Sequence, residues 1–284
     1  MKLPTKWSGL NLRIRVSIVM LVLILTLAVI ASILSPYSSD QIGVGETLLT
    51  PSFAHPFGLD SFGRDQLTRV TEGALLSFFI GFTVMSISLI VGIPIGILSA
   101  FKGGLIDNGL SRFLDLLFAF PSLLLALVLV AVIGSGFWTA LLALTIIYIP
   151  IASRFIRGAA ISERDRDYVS AAKVNGASTF RICFKHILPN IAFSLLVLGT
   201  NIFAFAILAE AALSYLGVGA KPPTPSLGKI LTENQGFITT SSHLVIIPAL
   251  TLSFLVLALN LLGDGLRDHL DPRKTLKDSK MSDR

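Results

Sequence analysis

Ser170-Ala171-Ala172-Lys173-Val174-Asn175-Gly176, closed ten residues later by His186-Ile187-Leu188-Pro189, lies in a polar, basic stretch between two long apolar blocks. That placement predicts a loop of a multi-span membrane protein. Helical patterning on both sides of Gly176 predicts a compact knob instead of a slack linker. Tyr168, Ala171, Ala172 and Asn175 recur at helical spacing, so one side of a first short helix is small and open to close approach. Ser162, three residues before Asp165, resembles a capping box, with Glu163, Asp165 and Asp167 in a first turn. Gly176 supplies a stop that tolerates left-handed backbone. Ser178 then caps a second helix, with Phe180, Phe184 and Ile187 on one face and Arg181 and Lys185 on another. Pro189 suits the first turn of the next span.

Working outward, the chain of 284 residues is 53% hydrophobic and only 14% charged, about half the charge of a soluble domain. The apolar residues fall in six blocks: 16–34, 75–101, 113–133, 137–153, 190–215 and 243–263. Most approach the ~20 residues that a helix needs to cross about 30 Å of hydrocarbon. The 19-residue run of the first block exceeds a cleaved signal's apolar core, so an uncleaved first span is expected. Gly92 and Gly96, four apart, permit close helix contact, and Pro94 and Pro121 mark breaks that neighbouring helices can satisfy.

Lysine and arginine set the orientation. Nineteen of the 23 fall in the segments that are inner if the N-terminus is inside, and four in the outer ones. Both termini are therefore expected in the cytoplasm. The expected order is a tail over 1–15, a first span over 16–34 and an extracytoplasmic segment over 35–74. A five-helix membrane domain over 75–263 follows, with its cytoplasmic loop at 158–189, and then a tail over 264–284. From Asp65 a short amphipathic helix should lead into the second span. Lys221-Pro222-Pro223-Thr224-Pro225 should be stiff and extended. The two outer segments could form a docking rim or act as linkers.

Several function classes are disfavoured. Basic residues cluster at block ends, not in a stripe with interleaved aromatics, so nucleic acid is not an expected partner. The four histidines and the single cysteine have no metal-ligand spacing, and His186 with Cys183 lacks a third ligand, so no metal is expected. No phosphate-cradling loop is present, because Gly228-Lys229-Ile230 lacks the hydroxyl residue and the upstream glycine. The chain is thus not expected to be an enzyme, and no cofactor or catalytic residue is assigned. An ion-coupled transporter usually buries ionisable groups at the bilayer midplane, and most block interiors lack them. A membrane anchor without transport would leave the knob without a task.

The spacing of Ser170-Ala171-Ala172, Gly176 and His186-Ile187-Leu188-Pro189 resembles the EAA signature of ABC-importer permeases, with Ser170 in place of the glutamate and His186 in place of an isoleucine. Further stretches are similar to the C-type subunit of the dipeptide, oligopeptide and nickel permeases. They include His55-Pro56-Phe57-Gly58, Ala119-Phe120-Pro121-Ser122, Ala209-Glu210-Ala211-Ala212-Leu213-Ser214-Tyr215-Leu216-Gly217 and Asn260-Leu261-Leu262-Gly263-Asp264-Gly265. Together they span about residues 50–272.

The resemblance implies an all-α polytopic membrane protein of the type I ABC-importer permease fold, six transmembrane helices with a cytoplasmic coupling-helix loop, in a bacterial cytoplasmic (inner) membrane. It implies a second homologous permease subunit, two cytoplasmic ATPase subunits and an extracytoplasmic solute-binding protein as partners, besides membrane lipid. The substrate would be a peptide or, alternatively, nickel or a metal chelate. Coupling to the ATPases would run through Tyr168, Ser170, Ala171, Ala172, Gly176, Ala177, Phe180 and Arg181. Arg164, Arg166 and Lys173 could partly replace the missing glutamate. For the pathway, Ser194, Asn201 and Glu210 are the candidates, because polar groups on a span are costly against lipid. Asn201 could equally bond between helices, and Glu210 could pair with Lys221 or Arg64.

Overall fold

A computed structural model of the chain describes residues 11–270. The expected tails therefore lie partly outside the described residues. The helices are α1 (Leu12–Leu34), α2 (Gln66–Lys102), α3 (Gly104–Phe118), α4 (Ser122–Ile133) and α5 (Phe137–Arg164), then α6 (Asp167–Val174) and α7 (Thr179–Arg181). A π-helical stretch Ile182–Ile187 leads into α8 (Leu188–Tyr215), and α9 (Leu227–Asn234) and α10 (His243–Leu270) complete the order. Among the described residues five helices are long and apolar enough to cross a membrane.

The third apolar block is not one straight span. It divides into α3 and α4, bent by 85°. Proline at 121 has no N–H to donate and drives the preceding residue out of the helical region, so α3 stops at Phe118 and Pro121 sits at the N-cap of α4. With 12 residues, α4 rises only about 18 Å, short of the hydrocarbon thickness. The other join of α3 is equally sharp, because Gly103 and Gly104 take φ of 57° and 58°, a region that suits glycine.

The centre of the bundle is α2 against α5. A Cβ at Gly92 would meet the Ala152 Cβ at 2.9 Å, and one at Gly96 would meet the Ser153 O at 2.6 Å and the Arg157 N at 2.9 Å. Only hydrogen at these two positions lets the backbones approach so closely. Around this seam Val84, Ile97, Leu144, Ile156 and Ile187 are buried in one core. Helix α8 joins α2 and α10 through Phe203, Ile207 and Leu255. Helix α1 lies outermost, tied near its start to the end of α10 by Arg13–Asp268 at 2.7 Å.

Element boundaries differ from expectation in three places. The amphipathic lead-in is continuous with the second span as the 37-residue α2, N-capped by Asp65, which accepts from the Thr68 N at 2.9 Å. Helix α5 runs on to Arg164, so Ser162 is no cap; its hydroxyl donates to the Ala159 O at 2.8 Å. The second outer segment holds a helix, α9, whose Leu227, Ile230 and Asn234 are buried at spacings of three and four.

Candidate functional site

The knob forms where the sequence places it. Gly176 ends α6 at φ 74°, with its N–H donating to the Lys173 O and the Ala177 N–H to the Ala172 O, both at 3.0 Å. This double bond closes the helix end in the Schellman arrangement. Ser178 caps the next turn by accepting from the Arg181 N at 3.3 Å, and Pro189 lies in the first turn of α8. The π-helical widening at Ile182–Ile187 changes the faces. Ile182, Cys183 and Ile187 turn into the core, while Phe180 is exposed and stacks on Phe184 at 4.5 Å. The expected shared burial of Phe180, Phe184 and Ile187 is therefore corrected, because the extra residue in the turn rotates Phe180 outward. Arg181 and Lys185 are both exposed.

Helix α6 is anchored by Val169 and Ala172, which are buried. The small face is consequently shifted: Ala172 points inward, and Ser170, Ala171 and Val174 form the open side. Val174 is 89% and Phe180 70% exposed. Ala177 and Tyr168 are half-buried. The Tyr168 hydroxyl donates to the Glu163 Oε2 at 2.8 Å, and burial first, then Glu163, raises its pKa. Arg166 also meets Glu163, at 3.3 Å. Arg164 turns back to the bundle, donating to the Ala100 O at 2.8 Å, at the carbonyl end of α2 where a cation is favoured.

Glu210 makes neither expected pairing. It is fully buried and accepts from the hydroxyls of Ser214 (2.7 Å), Ser77 (2.8 Å) and Ser226 (2.9 Å). Arg64 is engaged elsewhere, with Asp60 at 2.7 Å and Glu233 at 2.8 Å. Arg69 meets Asp60 at 3.3 Å and Glu233 at 2.6 Å. Ion pairs thus join the 35–65 segment, the start of α2 and α9, a cluster that the sequence does not reveal. Asp60 also accepts from the Phe62 and Arg64 N–H groups, both at 2.9 Å. His55 meets Asp65 at 2.9 Å. On α9, burial lowers the pKa of Lys229.

Ser194 and Asn201 lie on one exposed stripe of α8 with Phe205 and Leu208. Beside Asn201, α10 carries Gly263, where a Cβ would meet the Thr200 Oγ1 at 2.5 Å and the Asn201 Oδ1 at 3.5 Å. Glu210 is enclosed and does not share the stripe.

Residues 92–276 match the family model described as binding-protein-dependent transport system inner membrane component. A dipeptide transport system permease protein DppC of Alkalihalophilus pseudofirmus is 39% identical over 258 residues, 91% of this chain and 85% of the relative. A putative peptide transport system permease protein of Brucella suis is 42% identical over 91% of this chain and 87% of its own. A glutathione transport system permease protein GsiD of Pectobacterium atrosepticum is 37% identical, covering 88% and 84%. Among solved structures, the MetNI methionine ABC transporter in inward-facing conformations superposes with a TM-score of 0.59 at 21% identity, over 71% of this chain and 96% of that one. At that identity the likeness speaks for the fold.

Proposed function

This chain belongs to the binding-protein-dependent transport system inner membrane components and is an ABC-importer permease; on that premise we propose that it forms half of the pathway by which a di- or short oligopeptide enters the cell. The other half is a second, homologous permease. Two ATPase subunits bind on the cytoplasmic side, and a separate binding protein delivers the peptide from outside. Both termini and the α6–α7 knob are cytoplasmic, and the Arg64–Glu233 end is outside. The excess of lysine and arginine at the knob end supports this orientation.

The observation that carries the reading is the pair Val174 and Phe180, apolar and exposed on a knob that is itself anchored in the bundle core. A folded cytoplasmic projection with outward apolar side chains fits a groove on another protein. Ser170, Ala171, Gly176 and Arg181 border that face. Tyr168, Ala172 and Ala177 hold its shape from behind. ATP-driven closure of the ATPases would press on this surface and tilt the bundle. Ser194 and Asn201 line the route, with Phe205 and Leu208 between polar contacts.

Gly176→Pro tests the coupling. Proline cannot take φ of 74° and removes the N–H that closes α6. In the complex reconstituted in vesicles, stimulation of ATP hydrolysis by the loaded binding protein should be lost while membrane insertion stays normal. Full stimulation in that variant overturns the assignment of the knob.

A further inference from the structure

The structure carries a second device at the knob end, outside the knob itself. Asp107, near the start of α3, is gripped by Arg157 of α5 in a bidentate pair: Nε to Oδ1 and Nη2 to Oδ2, both at 2.6 Å. Ser99 of α2 donates to the same carboxylate. The backbone of Arg157 is pressed against Gly96 of α2, so the guanidinium projects from the most tightly packed seam in the molecule. The side chains of Asp107 and Arg157 are 17% and 33% exposed. A planar fork in that setting fixes direction as well as distance.

Three features make α3 a lever and not a mere passenger. Its first join, Gly103–Gly104, has both glycines at positive φ, and a Cβ at either would meet nothing within 4 Å. Its second join is the 85° break before Pro121. Movable elements hinge at such positions. The third feature is the line of contacts running back to the knob. Tyr168 and Arg166 of the α6 region hold Glu163 at the end of α5, and two helical turns up the same rigid helix stands Arg157.

We infer that Asp107 and Arg157 are positioning residues that make α3 follow the knob, so that nucleotide-driven displacement of α5 re-angles the α3–α4 bend. This rests on the importer reading above. Loss of the pair should disconnect hydrolysis from movement of solute, whereas damage to the knob should stop the stimulation itself.

The test uses the full complex in proteoliposomes, with ATP hydrolysis and peptide uptake measured on the same vesicles. Asp107→Asn and Arg157→Gln should each leave stimulated hydrolysis near its normal level and lower uptake per ATP by about tenfold. The exchange Asp107→Arg with Arg157→Asp should restore most of it. Spin labels at Arg112 on α3 and Val132 on α4 add a conformational readout. Their separation should change with nucleotide in the otherwise unaltered chain and cease to change in Asp107→Asn. Unaltered uptake per ATP in the single variants, no recovery in the exchange, or a label distance indifferent to nucleotide overturns the strap. ATP-independent uptake by the unmutated complex overturns the importer reading and the strap with it.

Discussion

At one end of the bundle Asp60 is held by two arginines and two backbone N–H groups, and Glu210 by three serine hydroxyls. At the other, Val174 and Phe180 stand in the open. The first end ties its segments to one another: Arg64 and Arg69 reach Glu233 across the sequence, and a Cβ at Gly73 of α2 would come within 3.2 Å of the Leu227 N on α9. The second end is organised internally only as far as needed to present a surface. Burying charge without partners is costly and burying it with them gives little net stability. The ionic end is therefore best understood as a fixed frame, and the knob end as the place where binding free energy remains to be gained.

The largest expected effect breaks the frame. Asp60→Ala would leave the buried Arg69 with Glu233 alone, release Arg64 from its nearer partner and orphan the Phe62 and Arg64 N–H groups. Removing one member of a buried ion-pair set costs about 3–5 kcal/mol. A clear fall in the midpoint of thermal unfolding in detergent is expected, together with proteolytic cutting in the 35–65 segment. An unchanged midpoint would mean that the frame is no stiffer than the knob.

A smaller effect, of a different kind, is expected at the knob. Phe180→Ser and Val174→Ser remove apolar surface that the chain itself does not bury, so its own stability should move by no more than about 0.5 kcal/mol. If the ATPase covers these side chains, each substitution should cost about 1.5–3 kcal/mol of association, tenfold or more in Kd. Titration of the detergent-solubilised permease pair with the ATPase, monitored by mass photometry, reads this directly. A loss of stability without a loss of affinity would reverse the comparison.

How much of this the sequence discloses depends on the range of the interactions. Gly176, Ser178 and Pro189 act within a few residues, and the knob they delimit is legible because capping chemistry is local. Ser162 misleads for the opposite reason. Its spacing to Asp165 suits a cap, but Ile156 and Ala160, buried in the core, carry α5 straight through that position. At Pro121 the sequence marks a break but not its angle, which the contacts of α3 with α5 define. Glu210 finds Ser77 across 133 positions, and the arginines find Glu233 across more than 160. Nothing in local pattern selects those partners over Lys221. The π-helical stretch is invisible for a subtler reason, since one extra residue per turn alters which side faces inward without altering composition.

The smallest expected effect sharpens the contrast within the knob end itself. Helices α3 and α5 share a second ion pair, Arg154–Asp115, one to two turns along from Asp107–Arg157. Both of its side chains are 56% exposed, against 17% and 33% for the other, and a single nitrogen–oxygen contact replaces the two-pronged grip. Arg154 also lies over the Phe118 ring, 4.5 Å from its centroid. Exposed ion pairs and exposed cation–ring contacts each contribute about 0–1 kcal/mol. Arg154→Ala should accordingly change stability by about 1 kcal/mol at most and leave uptake per ATP where it was, even though it removes an α3–α5 charge pair of the same chemical type. If Arg154→Ala lowered uptake per ATP as far as Arg157→Gln does, the effect would belong to the net charge of this helix face, and the geometry of the Asp107 fork would have no special part in it.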